Sequence, residues 1–96
     1  MLIDVIKEGT VITIKLVTGE EVLAQYRDET NEVINVVKPM QISMNQQGIG
    51  LLPLLFSVDQ TSTIKIKKTS VISITQSHKD FANQYLSATT GLAING

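Results

Sequence analysis

The chain has 96 residues and a nearly balanced charge, with eight Lys or Arg, nine Asp or Glu and a formal net charge of -1. A chain of this length forms one domain with a modest core. Cysteine is absent, which excludes disulfide scaffolds, thiolate metal sites and cysteine nucleophiles. The small net charge gives no bulk electrostatic reason to bind nucleic acid or a membrane surface. Residues 1–4 show neither the basic nor the long apolar region of a signal peptide, so we expect none. We expect a single cytoplasmic domain, residues 1–96, without membrane association.

The composition favours strands. Isoleucine, valine and threonine supply twelve, nine and ten residues, against four alanines. These β-branched side chains lose rotamer freedom in a helix and fit a pleated sheet. An all-β fold is therefore the expectation.

Two alternating runs flank a glycine and predict a hairpin. Apolar side chains share one face in residues 11–17, and the alternation resumes in residues 20–27. Gly19 lies between the runs and can adopt the positive φ of a tight turn. The side chains predicted to face inward are those of Ile12, Ile14, Leu16, Val22, Ala24 and Tyr26.

The middle of the chain predicts a third strand, a loop and an apolar segment. Residues 28–31 are polar and predict a turn before a strand at 32–37. Pro39 cannot donate to a ladder and marks a bend or an edge, after which residues 45–50 form a loop tip. Residues 51–56, Leu-Leu-Pro-Leu-Leu-Phe, form the apolar segment, which packs either inside its own domain or against another subunit because a small domain seldom buries so much.

The last third of the chain predicts two strands and a helix. Residues 63–67 alternate, with isoleucines inward and lysines outward, and a turn at 68–70 leads to a short strand at 71–74. A helix is predicted over 77–90, with Ser77 as its cap and Gly91 as its end. Its apolar positions recur at helical spacing: Phe81, Tyr85 and Ala88.

Residues suited to catalysis or to a metal are scarce. The only histidine, His78, lies at the predicted helix start, with no nucleophile elbow or second imidazole near it in sequence. The acidic residues at 20–21 and within 28–32 match neither a calcium loop nor a zinc helix, and solvated hairpin ends explain them better. We therefore expect no catalysis, no metal and no cofactor.

Lys65, Lys67 and Lys68 form the one positive cluster. On a strand, Lys65 and Lys67 project from one face with Lys68 beside them, which suits contact with phosphates. Exposed lysines on an edge strand also prevent aggregation, and this is the favoured interpretation for a monomer. In a closed ring the three lysines would repeat in every subunit and form a continuous positive surface able to hold single-stranded nucleic acid.

Two stretches together resemble the Sm-like family. The first, residues 12–37, has alternating apolar positions, a glycine turn and an aspartate: Ile14, Leu16, Thr18-Gly19, Val22, Tyr26 and Asp28. The second, residues 64–74, is similar to the family's second motif, in which an Arg-Gly pair precedes the last apolar positions: Ile66, Lys67-Lys68, Val71 and Ile74. The short, Asn/Gln/Thr-rich chain also looks like divergent phage-borne members, which would place it in a host cytoplasm.

The resemblance implies a strongly bent, five-stranded open barrel over about residues 10–75. In the family such barrels form rings, in which the fourth strand of one subunit pairs with the fifth of its neighbour. The family's RNA-contacting positions fall on Asp28, Lys67 and Lys68, and on Asn31 only with a gap, since strict spacing selects Glu32. Lysine cannot copy the planar fork of arginine, and a lysine at the glycine position lacks its backbone freedom.

Two functions follow as hypotheses. The first is a homo-oligomeric ring subunit that binds single-stranded RNA through Asp28, Asn31, Lys67 and Lys68. The alternative is a structural or interaction module whose apolar segment, residues 51–56, docks a protein partner. A small enzyme ranks far behind both because no general base has a partner.

Overall fold

Six strands and one α-helix make up the part of the chain that the computed structural model describes, residues 6–95, with side chains described to residue 90. The elements in chain order are β1 (Val11–Leu16), β2 (Glu21–Glu29), β3 (Val33–Asn45), β4 (Gly48–Pro53), β5 (Thr63–Lys67), a 3₁₀ turn (Lys68–Ser70), β6 (Val71–Gln76) and α1 (Lys79–Asn95). All strand pairs are antiparallel, in the order β4-β3-β2-β1-β6, with β5 paired to another part of β3. The expected mostly-β fold with a C-terminal helix is confirmed.

The first hairpin follows the predicted alternation. β1 pairs with β2 so that Ile14 lies opposite Val22 and Ile12 opposite Ala24, and all four side chains are fully buried. Gly19 adopts a φ of 108°, which an L side chain rarely adopts, and its N–H donates to the Leu16 carbonyl at 2.9 Å. The glycine is required because the chain reverses within a few residues.

β3 bends at Lys38 and Pro39 and has two partners on its outer side. Residues 33–37 pair with β5, and residues 40–45 pair with β4. Between these parts Lys38 has a positive φ of 52°. Pro39 has no N–H and therefore leaves no backbone donor without a partner at this point. The sequence predicted a bend or an edge at Pro39; the chain stays in β3 through this residue, and the change of partner from β5 to β4 there lets one strand hold two neighbours.

The sheet has six strands, where the sequence predicted five. The additional strand is β4, which includes Gly48 to Gly50 of the expected loop tip and the first half of the apolar segment. The loop between β3 and β4 is shorter than expected because Gly48 adopts a φ of 119° and the Gln47 N–H donates to the Asn45 side chain at 2.8 Å.

Two apolar clusters lie on opposite faces of the sheet. The inner cluster is formed by Ile12, Ile14, Val22, Ala24, Tyr26, Ile34, Val36 and Ile66. The outer cluster is formed by Val11, Leu23, Met40 and Tyr85, with Phe81, Ala82 and Leu86 of α1 packed against it. The inward positions predicted for β1 and β2 are therefore correct, with Leu16 packed at the margin of the inner cluster. Side chains of α1 therefore complete the outer cluster.

The helix begins and ends later than predicted. It runs from Lys79 to Asn95 and passes through Gly91, because a glycine inside a helix costs only about 1 kcal/mol relative to alanine and no proline follows. Ser77 is not the cap: its hydroxyl hydrogen-bonds to Thr13 at 2.8 Å, and His78 Nδ1 accepts the Asp80 N–H at 3.1 Å instead. Over the described residues no helix is long and apolar enough to cross a membrane.

Candidate functional site

Two turns from distant parts of the chain meet at one end of the sheet. One, residues 30–32, joins β2 to β3, and the other is the 3₁₀ turn after β5. They meet because β5 pairs with the first half of β3, with Val33 opposite Lys67, and the Lys68 N–H donates to the Glu32 carbonyl at 2.8 Å. We call this end, residues 28–32 with 67–70, the turn site.

Lys68 is held at the turn site by an ion pair that the sequence analysis did not identify. Its ammonium donates to Glu29 Oε2 at 2.5 Å, and Glu29 Oε1 accepts the Tyr26 hydroxyl at 2.9 Å. These two hydrogen bonds lower the pKa of Glu29 below its ordinary value. Burial, assisted by the bond to Glu29, raises the pKa of Tyr26 to about 12, so the phenol remains a donor at neutral pH.

Asp28 is paired with Asn35 and not with Asn31. The Asn35 amide donates to Asp28 Oδ1 at 2.6 Å across the β2–β3 ladder, while Asn31 lies exposed in the turn. Asn35 Oδ1 is buried and has no hydrogen-bond partner among the described residues. Lys65 lies opposite Asn35 on β5. The structure therefore brings Asp28, Lys67 and Lys68 to one end of the sheet, with Asn31 at its rim.

The formal charges along this end of the sheet cancel. Lys65, Lys67 and Lys68 contribute three positive charges, and Asp28, Glu29 and Glu32 contribute three negative ones. Lys65 and Lys67 are exposed, whereas Lys68 is half-buried in its pair with Glu29. A phosphate would thus meet Lys67 directly, and would meet Lys68 only in competition with Glu29.

The outer edges of β4, β5 and β6 have no strand partner among the described residues, since β4 and β5 each pair only with β3 and β6 pairs only with β1. Because the Lys68 N–H donates to the Glu32 carbonyl, the next facing pair with the same alternation, Ile34 and Ile66, is also hydrogen-bonded. The N–H and C=O groups of the alternate residues, Lys65 and Lys67, therefore point away from β3 to the free edge. The bond from Ser77 N–H to Val11 similarly directs those of Ile74 and Gln76 outward.

The apolar segment, residues 51–56, is divided between the core and the surface. Leu51 packs against the outer cluster and Leu54 against the inner cluster. Leu52, Leu55 and Phe56 are exposed, with 77% of Phe56 accessible. Part of the segment therefore packs inside its own domain, one of the two predicted placements, and packing of the exposed part against another subunit stays a prediction. The division arises because alternate side chains point to different sides of β4 and the chain after it.

No arrangement suited to nucleophilic catalysis surrounds His78 in the described structure. Its ring is exposed at the start of α1, where Nδ1 accepts the Asp80 N–H and lies 3.9 Å from the Asp80 carboxylate. The most enclosed cavity among those found in the described residues lies under residues 55–62 and has a volume of about 10 Å³, room for one water.

No family model matches the chain, and no curated protein matches it.

Proposed function

We propose that this chain is an Sm-like ring subunit that assembles through the open sheet edges of β5 and β6 and binds single-stranded RNA at the turn site. The observation that supports this proposal most directly is the pair of open edges on β5 and β6. The order of elements also supports it. If β4 is treated as part of the variable middle stretch, the remaining five strands follow the order that the Sm-like resemblance implies.

The side chains at the two edges favour pairing of unlike strands. β5 carries Lys65 and Lys67, whereas β6, Val-Ile-Ser-Ile-Thr-Gln, carries no charge. Pairing of two β5 edges would set lysines against lysines, which destabilises a ladder. Pairing of β5 with β6 avoids this repulsion. It would also bring a neighbouring strand beside Ile72, whose side chain is 64% exposed. Unlike edges form a head-to-tail contact, and such contacts give a ring when the rotation between neighbouring subunits closes.

Assembly would repeat the turn site around a ring. A single turn site presents the exposed Lys67 among residues whose charges nearly balance. This is too little positive charge for one site alone to bind RNA tightly. Repetition along one strand of RNA multiplies weak phosphate contacts through effective concentration. Binding by this route should be modest per subunit and should weaken steeply with salt.

Proline substitutions test the assembly at each edge. Gln76→Pro removes an outward N–H from β6 without removing a bond to β1, and Lys65→Pro does the same on β5. We expect the wild type to scatter light as an oligomer, each proline variant alone to lose that mass, and an equimolar mixture to form dimers, since each variant keeps one intact edge. Gln76→Thr is the matched control.

The proline experiment has clear adverse outcomes. A wild-type chain that remains monomeric at working concentrations would refute ring assembly. Variants that retain the oligomer while circular dichroism shows the native fold would refute these edges as the interface. RNA binding is tested separately by fluorescence anisotropy with oligo-U and oligo-A at low salt, where absence of binding to both would refute the RNA role.

The exposed part of the apolar segment supports a second candidate function, docking of a protein partner. Leu52, Leu55 and Phe56 are the relevant side chains, since Leu54 belongs to the inner cluster and its loss would disturb the fold. The double change Leu55→Ser with Phe56→Ser should abolish recovery of a partner with little effect on folding. Unlike RNA binding, apolar docking should change little with salt.

A further inference from the structure

We propose that Glu29 is an internal competitor for RNA phosphate at Lys68, so that a phosphate can contact Lys68 only by exchange of one anion for another. This inference rests on the proposed RNA-binding function and specifies how its site is regulated. In the absence of RNA, the carboxylate of Glu29 occupies the place beside the Lys68 ammonium, at 2.5 Å, that a phosphate oxygen would take.

The position of Glu29 is fixed from two sides, which distinguishes it from a passing surface ion pair. Tyr26 holds one carboxylate oxygen at 2.9 Å, and the Tyr26 side chain is itself buried in the inner cluster with 7% of its surface exposed. The other oxygen faces Lys68, whose backbone is tied to Glu32 by a bond of 2.8 Å. Both partners are thus presented by ordered backbone, which reduces the entropy cost of the pair.

Exchange is feasible because the pair is not sealed from solvent. The side chains of Lys68 and Glu29 are 35% and 40% exposed. A phosphate can approach the outer side of the ammonium, and the displaced carboxylate keeps its bond from Tyr26. Lys67, which is exposed on the same end of the sheet, offers a first contact from which the exchange proceeds.

The decisive variant is Glu29→Gln, which keeps an acceptor for Tyr26 and removes the charge that competes for Lys68. The matched control is Glu21→Gln, which removes the same charge at the opposite end of β2, about 26 Å along the strand. Affinity for fluorescein-labelled oligo-U is measured by anisotropy over a series of salt concentrations for the wild type, both variants and each combined with Lys68→Gln.

The proposal predicts a specific pattern. Glu29→Gln should bind oligo-U about two- to fivefold more tightly per contacted subunit. Its plot of log affinity against log salt should be steeper by about 0.7 for each phosphate gained. Lys68→Gln should weaken the Glu29→Gln variant strongly and the wild type little, and Glu21→Gln should change the salt slope little. Glu29→Ser serves as a second neutral variant should the glutamine form fold poorly.

Three outcomes would overturn the proposal, and they differ in what else they refute. If the wild type binds and Glu29→Gln matches Glu21→Gln, competition at Lys68 is refuted and the RNA role stands. If Lys68→Gln weakens the wild type as much as the Glu29→Gln variant, Lys68 is already free to bind phosphate and needs no exchange. If no form binds at low salt, the RNA role itself is refuted.

Discussion

Removal of one hydroxyl from the helix should loosen the bend that divides β3. The Tyr85 side chain is fully buried, and its hydroxyl donates to the carbonyl of Lys38 at 2.7 Å. Lys38 has the positive φ of 52° that lets β3 hold both β5 and β4. A non-glycine residue in this conformation costs about 1 kcal/mol or more, so the surrounding contacts must maintain it.

The change Tyr85→Phe keeps the ring in the outer cluster and leaves the Lys38 carbonyl without this donor. Loss of a buried hydrogen bond that leaves one partner unsatisfied costs about 1–3 kcal/mol. For a domain of this size, a loss of about 1.5 kcal/mol lowers Tm by roughly 6–12 °C. Tyr26→Phe is the control, because its hydroxyl partner Glu29 is partly exposed and can be solvated; the loss there should stay below about 1 kcal/mol.

The assay is thermal unfolding followed by circular dichroism. All forms are compared at one protein concentration because assembly stabilises the folded state by mass action. Hydrogen exchange of the backbone amides in β4 and β5 then shows whether the two halves of β3 lose protection together. A Tm drop below about 2 °C for Tyr85→Phe, or a larger drop for Tyr26→Phe, would refute the view that the helix hydroxyl holds the bend.

Two further predictions concern stability. The pKa of Glu29 is lower in the folded state than in the unfolded state, so its ionised form stabilises the fold above pH 4.5, and this contribution is lost as the pH falls below that value. The Tm of the Glu29→Gln variant should therefore fall less than the Tm of the wild type between pH 6 and pH 3. An equal fall in both proteins would contradict the prediction. Ile34→Ala removes a side chain that is 2% exposed in the inner cluster and should cost about 2–5 kcal/mol in chemical unfolding, whereas a cost below about 1 kcal/mol would show that the cluster collapses around the gap.

Local alternation in the sequence was enough to predict the first hairpin and β5. In these strands one face is buried, so the pattern of apolar and polar residues directly reflects the inner cluster. An interruption of regular pairing at Pro39 was also predictable, since the residue lacks an N–H, and β3 changes its partner there. β4 was not predicted because its two glycines and Pro53 are typical of loops, and its pairing with β3 depends on a turn geometry that composition does not fix.

The site was predictable only as a set of positions. Asp28, Lys67 and Lys68 lie at one end of the sheet, but their partners follow from strand register. Asn35 faces Asp28, and Glu29 faces Lys68, because β3 lies between β2 and β5 with particular offsets. A shift of one residue in either ladder would exchange these partners, and no local pattern in the sequence specifies that offset.

The role of the two lysines of β5 depends on whether the outer edge of this strand is open or paired. In a monomer, Lys65 and Lys67 lie on an open edge, where exposed charge prevents one sheet from pairing with another. In a ring the same edge is paired, and the lysines then flank the neighbour's uncharged β6 with no anion of that strand to neutralise them. Their charge is then available to phosphate. Neutral Lys65→Gln and Lys67→Gln forms should therefore aggregate if the chain is monomeric, and should remain soluble rings with weaker, less salt-sensitive RNA binding if it is not.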